Sequence, residues 1–159
     1  MRFRTGSHTR YSIFYHLVFL PKYRREVLTN QVEQKLKEII GKMAYFHDWI
    51  IEAMEVMPDH VHLFLSAPPR YSPAEIVKLI KSWTQKALCK EFKEIRRYLW
   101  GGSLWSEGYF VSTVNDSTTK DEIKKYIEDQ KKELKQLGLW YIKVVGFSKN
   151  PRPSTGGVV

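Results

Sequence analysis

His60 and His62 stand one residue apart in the run Met57-Pro58-Asp59-His60-Val61-His62-Leu63-Phe64-Leu65. On a β-strand alternate side chains share a face, so the two imidazoles point one way while Val61, Leu63 and Leu65 point the other. Two neutral ring nitrogens on one rigid strand make half of a metal site. A divalent ion held there would polarise a phosphoryl or carbonyl oxygen. The competing reading is a pair of hydrogen-bonded or surface histidines with no ligand. Cysteine does not complete the site, because Cys89 is the only one in the chain. The HxE and PCxxC signatures of a zinc deaminase are missing as well.

The surrounding pattern says what must position the pair. Residues 11–20 form a β-rich run stopped by Pro21. Residues 30–48 read as a helix, with Val32, Leu36, Ile39, Ile40 and Met43 at helical spacing and Asn30 as its cap. Residues 49–57 and 60–67 read as a hairpin closed by Pro58-Asp59. Ser72-Pro73-Ala74-Glu75 carries the signals of a helix start, for a helix running to about Phe92. A fourth strand is expected at about 106–114. The order β-α-β-β-α-β is that of the α+β ferredoxin-like fold, also called RRM-like: an antiparallel sheet with two helices on one face. Its first and third strands are central, which places His60 and His62 mid-sheet on the face those helices leave uncovered.

A further helix over 119–137, ended by Gly138, is surplus to that core and is the piece available to cover the histidine face. Its apolar stripe is Ile123, Ile127, Leu134 and Leu137. Tyr126 and Gln130, four residues apart, are neighbours at the border of this stripe. Docked on the histidines, the helix would bring a phenol and an amide oxygen to them; read without that docking, Tyr126 is a packing residue. Residues 139–145 suggest a short edge strand, and 147–159 a mobile tail.

The 159 residues suit one domain: a basic N-terminal arm over 1–10, a main body over 11–137 and a C-terminal segment over 138–159. Twenty-six Lys and Arg against 17 Asp and Glu give a formal charge of +9, which favours a polyanionic partner. With one cysteine there is no disulfide framework, and no apolar run reaches membrane-spanning length. The chain reads as soluble and cytoplasmic.

Four blocks occur in order: YHLVFLPKYRR, MPDHVHLFL, LWSEGYFVSTV and YIEDQ. Together they resemble the single-tyrosine HUH transposases, small insertion-sequence enzymes that move DNA as a single strand, over about residues 10–137. HUH denotes His, a bulky hydrophobic residue, His; Val61 fills the middle. The resemblance implies that His60, His62 and Gln130 are metal ligands and that Tyr126 is the nucleophile of a C-terminal catalytic helix. It also implies Mg2+ or Mn2+, a homodimer whose active sites can be composite, and cleavage at hairpin-marked transposon ends through a 5′-phosphotyrosine. In a prokaryotic host such a protein would meet the nucleoid.

The residue types suit that reaction. A tyrosine hydroxyl has a pKa near 10 and needs activation, but phenoxide leaves more readily than an alkoxide, so the linkage remains reversible. For single-strand contacts the candidates combine charge with aromatic rings. They are Arg10, Lys22, Tyr23, Arg24 and Arg25 near the first strand, Lys78, Lys81, Trp83 and Lys86 on the second helix, Trp105 near the Gly101-Gly102 loop, and Lys124 and Lys125 on the last helix. His16 would support the site if it faces His62. Two alternatives stay open. One is a domesticated HUH endonuclease or a replication or conjugation initiator. The other is a non-catalytic RRM-like RNA-binding module, which would need aromatics on its open sheet face where this chain has histidines.

Overall fold

The structure, a computed structural model, describes residues 3–99, 102–113 and 120–129, with Lys120 and Tyr126 described by their backbone alone. The strands are β1 (Arg4–Thr5), β2 (Arg10–Tyr11), β3 (Phe14–Phe19), β4 (Ile50–Met57), β5 (His60–Ser66) and β6 (Phe110–Thr113). The helices are α1 (Asn30–Phe46), α2 (Pro73–Glu91), α3 (Lys93–Leu99) and α4 (Lys120–Asp129).

Alternation in β3 and β5 builds the centre. Leu17, Phe19, Val61, Leu63 and Leu65 are fully buried on one face, against Leu36 and Ile40 of α1 and Ile76, Val77 and Ile80 of α2. Each such side chain contributes roughly 1.5–3 kcal/mol of burial. The sheet order is β4-β5-β3-β6, antiparallel throughout. This is the ferredoxin-like arrangement expected from the sequence, with its first and third strands central.

Local signals place the helices. Ser72 caps α2 in a reciprocal box: its hydroxyl accepts from the Glu75 backbone N–H at 3.2 Å, and the Glu75 carboxylate accepts from the Ser72 N–H at 2.8 Å. At α1 the expected cap is corrected. Thr29 holds that position without a side-chain cap bond, and Asn30 is the first helical residue. The helix ends where Asp48 adopts a left-handed φ of 58°, a conformation an aspartate tolerates better than most residues.

Three boundaries differ from the sequence reading. The run 11–20 divides, because residues 10 and 11 leave the sheet to pair with Arg4 and Thr5. That hairpin is held down by Arg4, which bonds the Asp48 carboxylate at 2.9 Å, so part of the supposed N-terminal arm is structured. The short helix α3 was not anticipated; it follows α2 after one non-helical residue, Phe92, and its single buried residue, Ile95, gives too weak a stripe to read. Among the described residues the fourth strand covers Phe110–Thr113, so it starts later than expected, although Pro21 and Trp105 form an isolated bridge before it. The expected Gly138 stop, edge strand 139–145 and tail 147–159 lie outside the described residues. Among the described residues no helix is long and apolar enough to cross a membrane.

Helix α4 packs on the second face of the sheet, mainly against β4 and β5. Ile127 is fully buried against Phe14, Ala53 and Phe64, and Ile123 packs beside it. These partners alternate with the core residues along β3 and β5, so the surplus helix lies over the face that carries the histidines.

Candidate active site

The geometry starts at the β4–β5 turn. Asp59 occupies the two-residue turn, and β5 begins at His60, with Met57 opposite His60 and Glu55 opposite His62 in the register. His60 and His62 share a face, with ring centroids 5.0 Å apart at 76°. Both are buried, His62 completely.

Each ring is held through Nδ1. The Asp59 carboxylate lies 2.6 Å from His60 Nδ1. An ionised carboxylate can only accept, so His60 Nδ1 carries a proton, and in the neutral ring the lone pair is then on Nε2. Asp59 is itself held by Arg24, whose Nε donates to the other carboxylate oxygen at 2.7 Å. Burial alone would push the Asp59 carboxyl up. The hydrogen bond from His60, its charge and the Arg24 guanidinium outweigh burial and hold it below the usual carboxylate range.

His62 Nδ1 meets His16 Nε2 at 3.1 Å, with the two rings stacked 5.4 Å apart. His16 sits opposite Phe64, and Val18 opposite His62, so this is a diagonal cross-strand pair. Burial lowers the His16 pKa to about 4. Burial first, then the repulsion its charged form would meet from charged forms of His60 and His16, hold His62 well below the ordinary imidazole range. The two rings are neutral at physiological pH, the state in which an imidazole binds a metal.

His16 therefore does face His62, as sequence alternation allowed. Asp59 was read only as a turn former; its place immediately before a histidine at a strand start was the available signal. Glu55, although opposite His62, comes within 3.6 Å of Lys37. Among the described residues no group of three His, Cys, Asp or Glu is arranged to hold a metal ion.

Tyr126 belongs to α4, between the docked residues Ile123 and Ile127; only its backbone is described. Gln130 lies outside the described residues. Of the basic residues on α4, Lys124 is half-buried and Lys125 exposed.

The remaining candidates scatter. Lys78, Trp83 and Lys86 are exposed on α2, which packs on the opposite side of the sheet from the histidines. Arg10 is exposed on the N-terminal hairpin, 5.5 Å from the Phe3 ring and near the far end of β3. One expectation is corrected outright. Trp105 is a core residue, 2% exposed; its Nε1 donates to the Thr84 hydroxyl at 2.9 Å, and its ring meets Phe19 edge-on. Lys81 is turned onto the backbone carbonyls of Ser106 and Gly108 at 2.7 and 2.9 Å, where it pins the segment before β6. Arg24 is directed at Asp59, with a side chain only 7% exposed. Lys22, Tyr23 and Arg25 remain at the surface beside it.

Residues 9–130 match the family model described as "Transposase IS200 like". The chain is 37% identical over 130 residues to the ISDra2 transposase TnpA of Deinococcus radiodurans, spanning 82% of this chain and 92% of that protein. It is 31% identical over 127 residues to the transposase for insertion sequence element IS200 of Salmonella typhimurium, spanning 79% and 84%. A solved structure from Deinococcus radiodurans superposes with a TM-score of 0.65 at 36% identity, covering 80% of this chain and 97% of that one. A REP-associated tyrosine transposase bound to a REP hairpin shares the fold, with a TM-score of 0.58 at 18% identity over 97% and 95% of the two chains. The paired histidines, the helix docked on the same sheet face and a family match that spans both lead to one conclusion: this chain belongs to the IS200-like transposases.

Proposed function

We propose that the chain cuts and rejoins single-stranded DNA at hairpin-marked transposon ends through a 5′-phosphotyrosine formed on Tyr126. The observation that carries this reading is the docking of α4, the helix that bears Tyr126, on the sheet face that bears His60 and His62.

The donor set fits a divalent cation, Mg2+ or Mn2+. Nδ1 of both rings is engaged, by Asp59 and by His16, which makes the two Nε2 atoms the candidate ligand atoms. Gln130 would be the third ligand. None of these donors is anionic, so they do not repel a phosphate. Imidazoles shift the preference from Mg2+ toward Mn2+ and later metals. When bound, such an ion polarises a non-bridging phosphate oxygen and stabilises the departing 3′ oxygen.

The protein's part is positioning. The Tyr126 oxygen attacks phosphorus and loses its proton; the bond from phosphorus to the 3′ oxygen breaks, and that oxygen takes up a proton. The energy of the backbone bond is retained in the phosphotyrosine, so a 3′-OH can reverse the step and join a new strand. The neighbour solved with a REP hairpin supports a hairpin-bearing DNA partner. We take the working unit to be a homodimer; in this structure α4 rests on its own chain's sheet. Here α4 packs on the face that an RNA-binding module would leave open for stacking, which weighs against that alternative.

The test is incubation of a single-stranded transposon-end oligonucleotide with Mn2+ and denaturing electrophoresis. Wild type should form covalent protein–DNA adducts, and Tyr126→Phe should form none. Adducts on Tyr126→Phe would remove the nucleophile assignment. Mixed dimers, one subunit His62→Ala and the other Tyr126→Phe, separate the assemblies: activity in the mixture requires a composite site.

A further inference from the structure

The turn that sends Arg24 to Asp59 turns its neighbours the other way. Tyr23 and Arg24 are consecutive non-glycine residues at positive φ, 60° and 50°. Each such residue costs on the order of 1–2 kcal/mol, and backbone strain of this kind gathers at functional sites. Its effect is a division of labour: Arg24 faces inward to the Asp59–His60 pair, while Lys22, Tyr23 and Arg25 line a cavity of about 370 Å³ on the other side.

Tyr98 of α3 forms the opposite wall, and Val27 and Leu104 lie among its apolar lining. Tyr23 and Tyr98 are 55% and 54% exposed. Arg25 lies between them, its guanidinium 5.5 Å from one ring centroid and 5.6 Å from the other. A hydrogen bond from Arg25 to the Tyr98 carbonyl at 2.6 Å fixes it there. Lys22 adds a second cation, 5.5 Å from the Tyr23 ring. Among the described residues lining the cavity every charged side chain is positive. Gly102 stands at its edge, where an added Cβ would sit 3.0 Å from the Leu99 carbonyl, so the wall closes tightly only around glycine.

Two half-exposed rings braced by a cation, with an unopposed positive charge beside them, match one ligand chemistry: an unpaired base and its phosphate. We propose that this cavity is a single-nucleotide site, in which one base of a single strand stacks against Tyr23 and Tyr98 while its phosphate lies against Lys22 and Arg25. The inference rests on the reading of the chain as a single-strand DNA enzyme. It adds where the strand is held: at the sheet end where His60 begins β5, linked to the histidine through Arg24 and Asp59. Duplex DNA, whose bases are stacked on each other, cannot use the site.

The experiment measures binding of labelled oligo(dT) carrying one 2-aminopurine, in metal-free buffer, with adduct formation in Mn2+ scored in parallel. Tyr23→Ala and Tyr98→Ala should each weaken binding roughly tenfold and restore 2-aminopurine fluorescence, whereas Tyr23→Phe and Tyr98→Phe should keep both. Lys22→Ala should reduce the salt dependence of binding by about one phosphate contact. Both rings are half exposed, so unchanged thermal melting should accompany these variants. Wild-type affinity and quenching in both alanine variants, with adducts still formed, would overturn the nucleotide site and leave the nuclease reading standing. Loss of binding in the alanine variants without any wild-type adduct would support the site and remove the nuclease reading.

Discussion

Asp59→Asn isolates the device that orients His60. The change keeps size and shape but removes the charge that Arg24 and His60 share. Arg24 Nε donates to Asp59 at 2.7 Å, and the two side chains are 7% and 17% exposed. Removing one member of a fully buried pair costs roughly 3–5 kcal/mol. The remaining solvent at Asp59 and the acceptor oxygen of the amide reduce this to about 2 kcal/mol of folding stability. The larger consequence is chemical. Arg24 can only donate, so it claims the amide oxygen, and the amide NH2 then turns to His60 Nδ1. That nitrogen must become an acceptor, and the ring proton moves to Nε2, the atom proposed to bind the metal. Mn2+ affinity should fall 10- to 100-fold, the range typical of lost partners behind metal ligands. Urea denaturation reads the first effect, an electron paramagnetic resonance titration with Mn2+ the second, and the 15N shifts of the His60 ring the tautomer in metal-free protein. Wild-type Mn2+ affinity together with a proton still on Nδ1 would refute the argument. Arg24→Met, which leaves the Asp59–His60 bond in place, should cost less metal affinity than Asp59→Asn.

Other outcomes follow from the same geometry. His16→Phe keeps a ring stacked on His62 but removes the nitrogen 3.1 Å from its Nδ1; Mn2+ affinity should drop several-fold in the same titration while the fold persists. Ile127→Ala empties the contact that seats α4 on Phe14, Ala53 and Phe64, at a cost of about 2–4 kcal/mol. Because α4 docks on the outside of the sheet, the loss should appear as faster hydrogen exchange in α4 with little change in β3 or β5. Ser72→Ala should lower the melting temperature by roughly 2–4 °C at neutral pH. Bonds from the Ser72 backbone and side chain hold Glu75 below its usual range, so this half of the capping box is present above pH 4.5 and is lost as pH falls through the lower folded value. The gap between wild type and Ser72→Ala should therefore narrow in acid.

Much of this was legible from local pattern. The alternation of histidines with Val61, Leu63 and Leu65 separated the two faces of β5. The Ser72–Glu75 box placed the start of α2, and the element order named the sheet topology, because these signals are set within a few residues. Ile123 and Ile127 marked the buried stripe of α4. The misreadings share one cause: a residue type is compatible with several environments until its neighbours in space are known. Trp105 beside a glycine pair looks like a stacking platform, yet Thr84 and Phe19 claim it for the core. Lys81 and Arg24 look like free charges, yet carbonyls and a carboxylate from distant segments take them. The chain alone thus nominated the candidate residues for the chemistry, since periodicity and motif spacing are local. Tertiary structure decided that His16 engages Nδ1 of His62 and that Asp59 takes up Arg24, since those partners lie 46 and 35 positions apart in the chain.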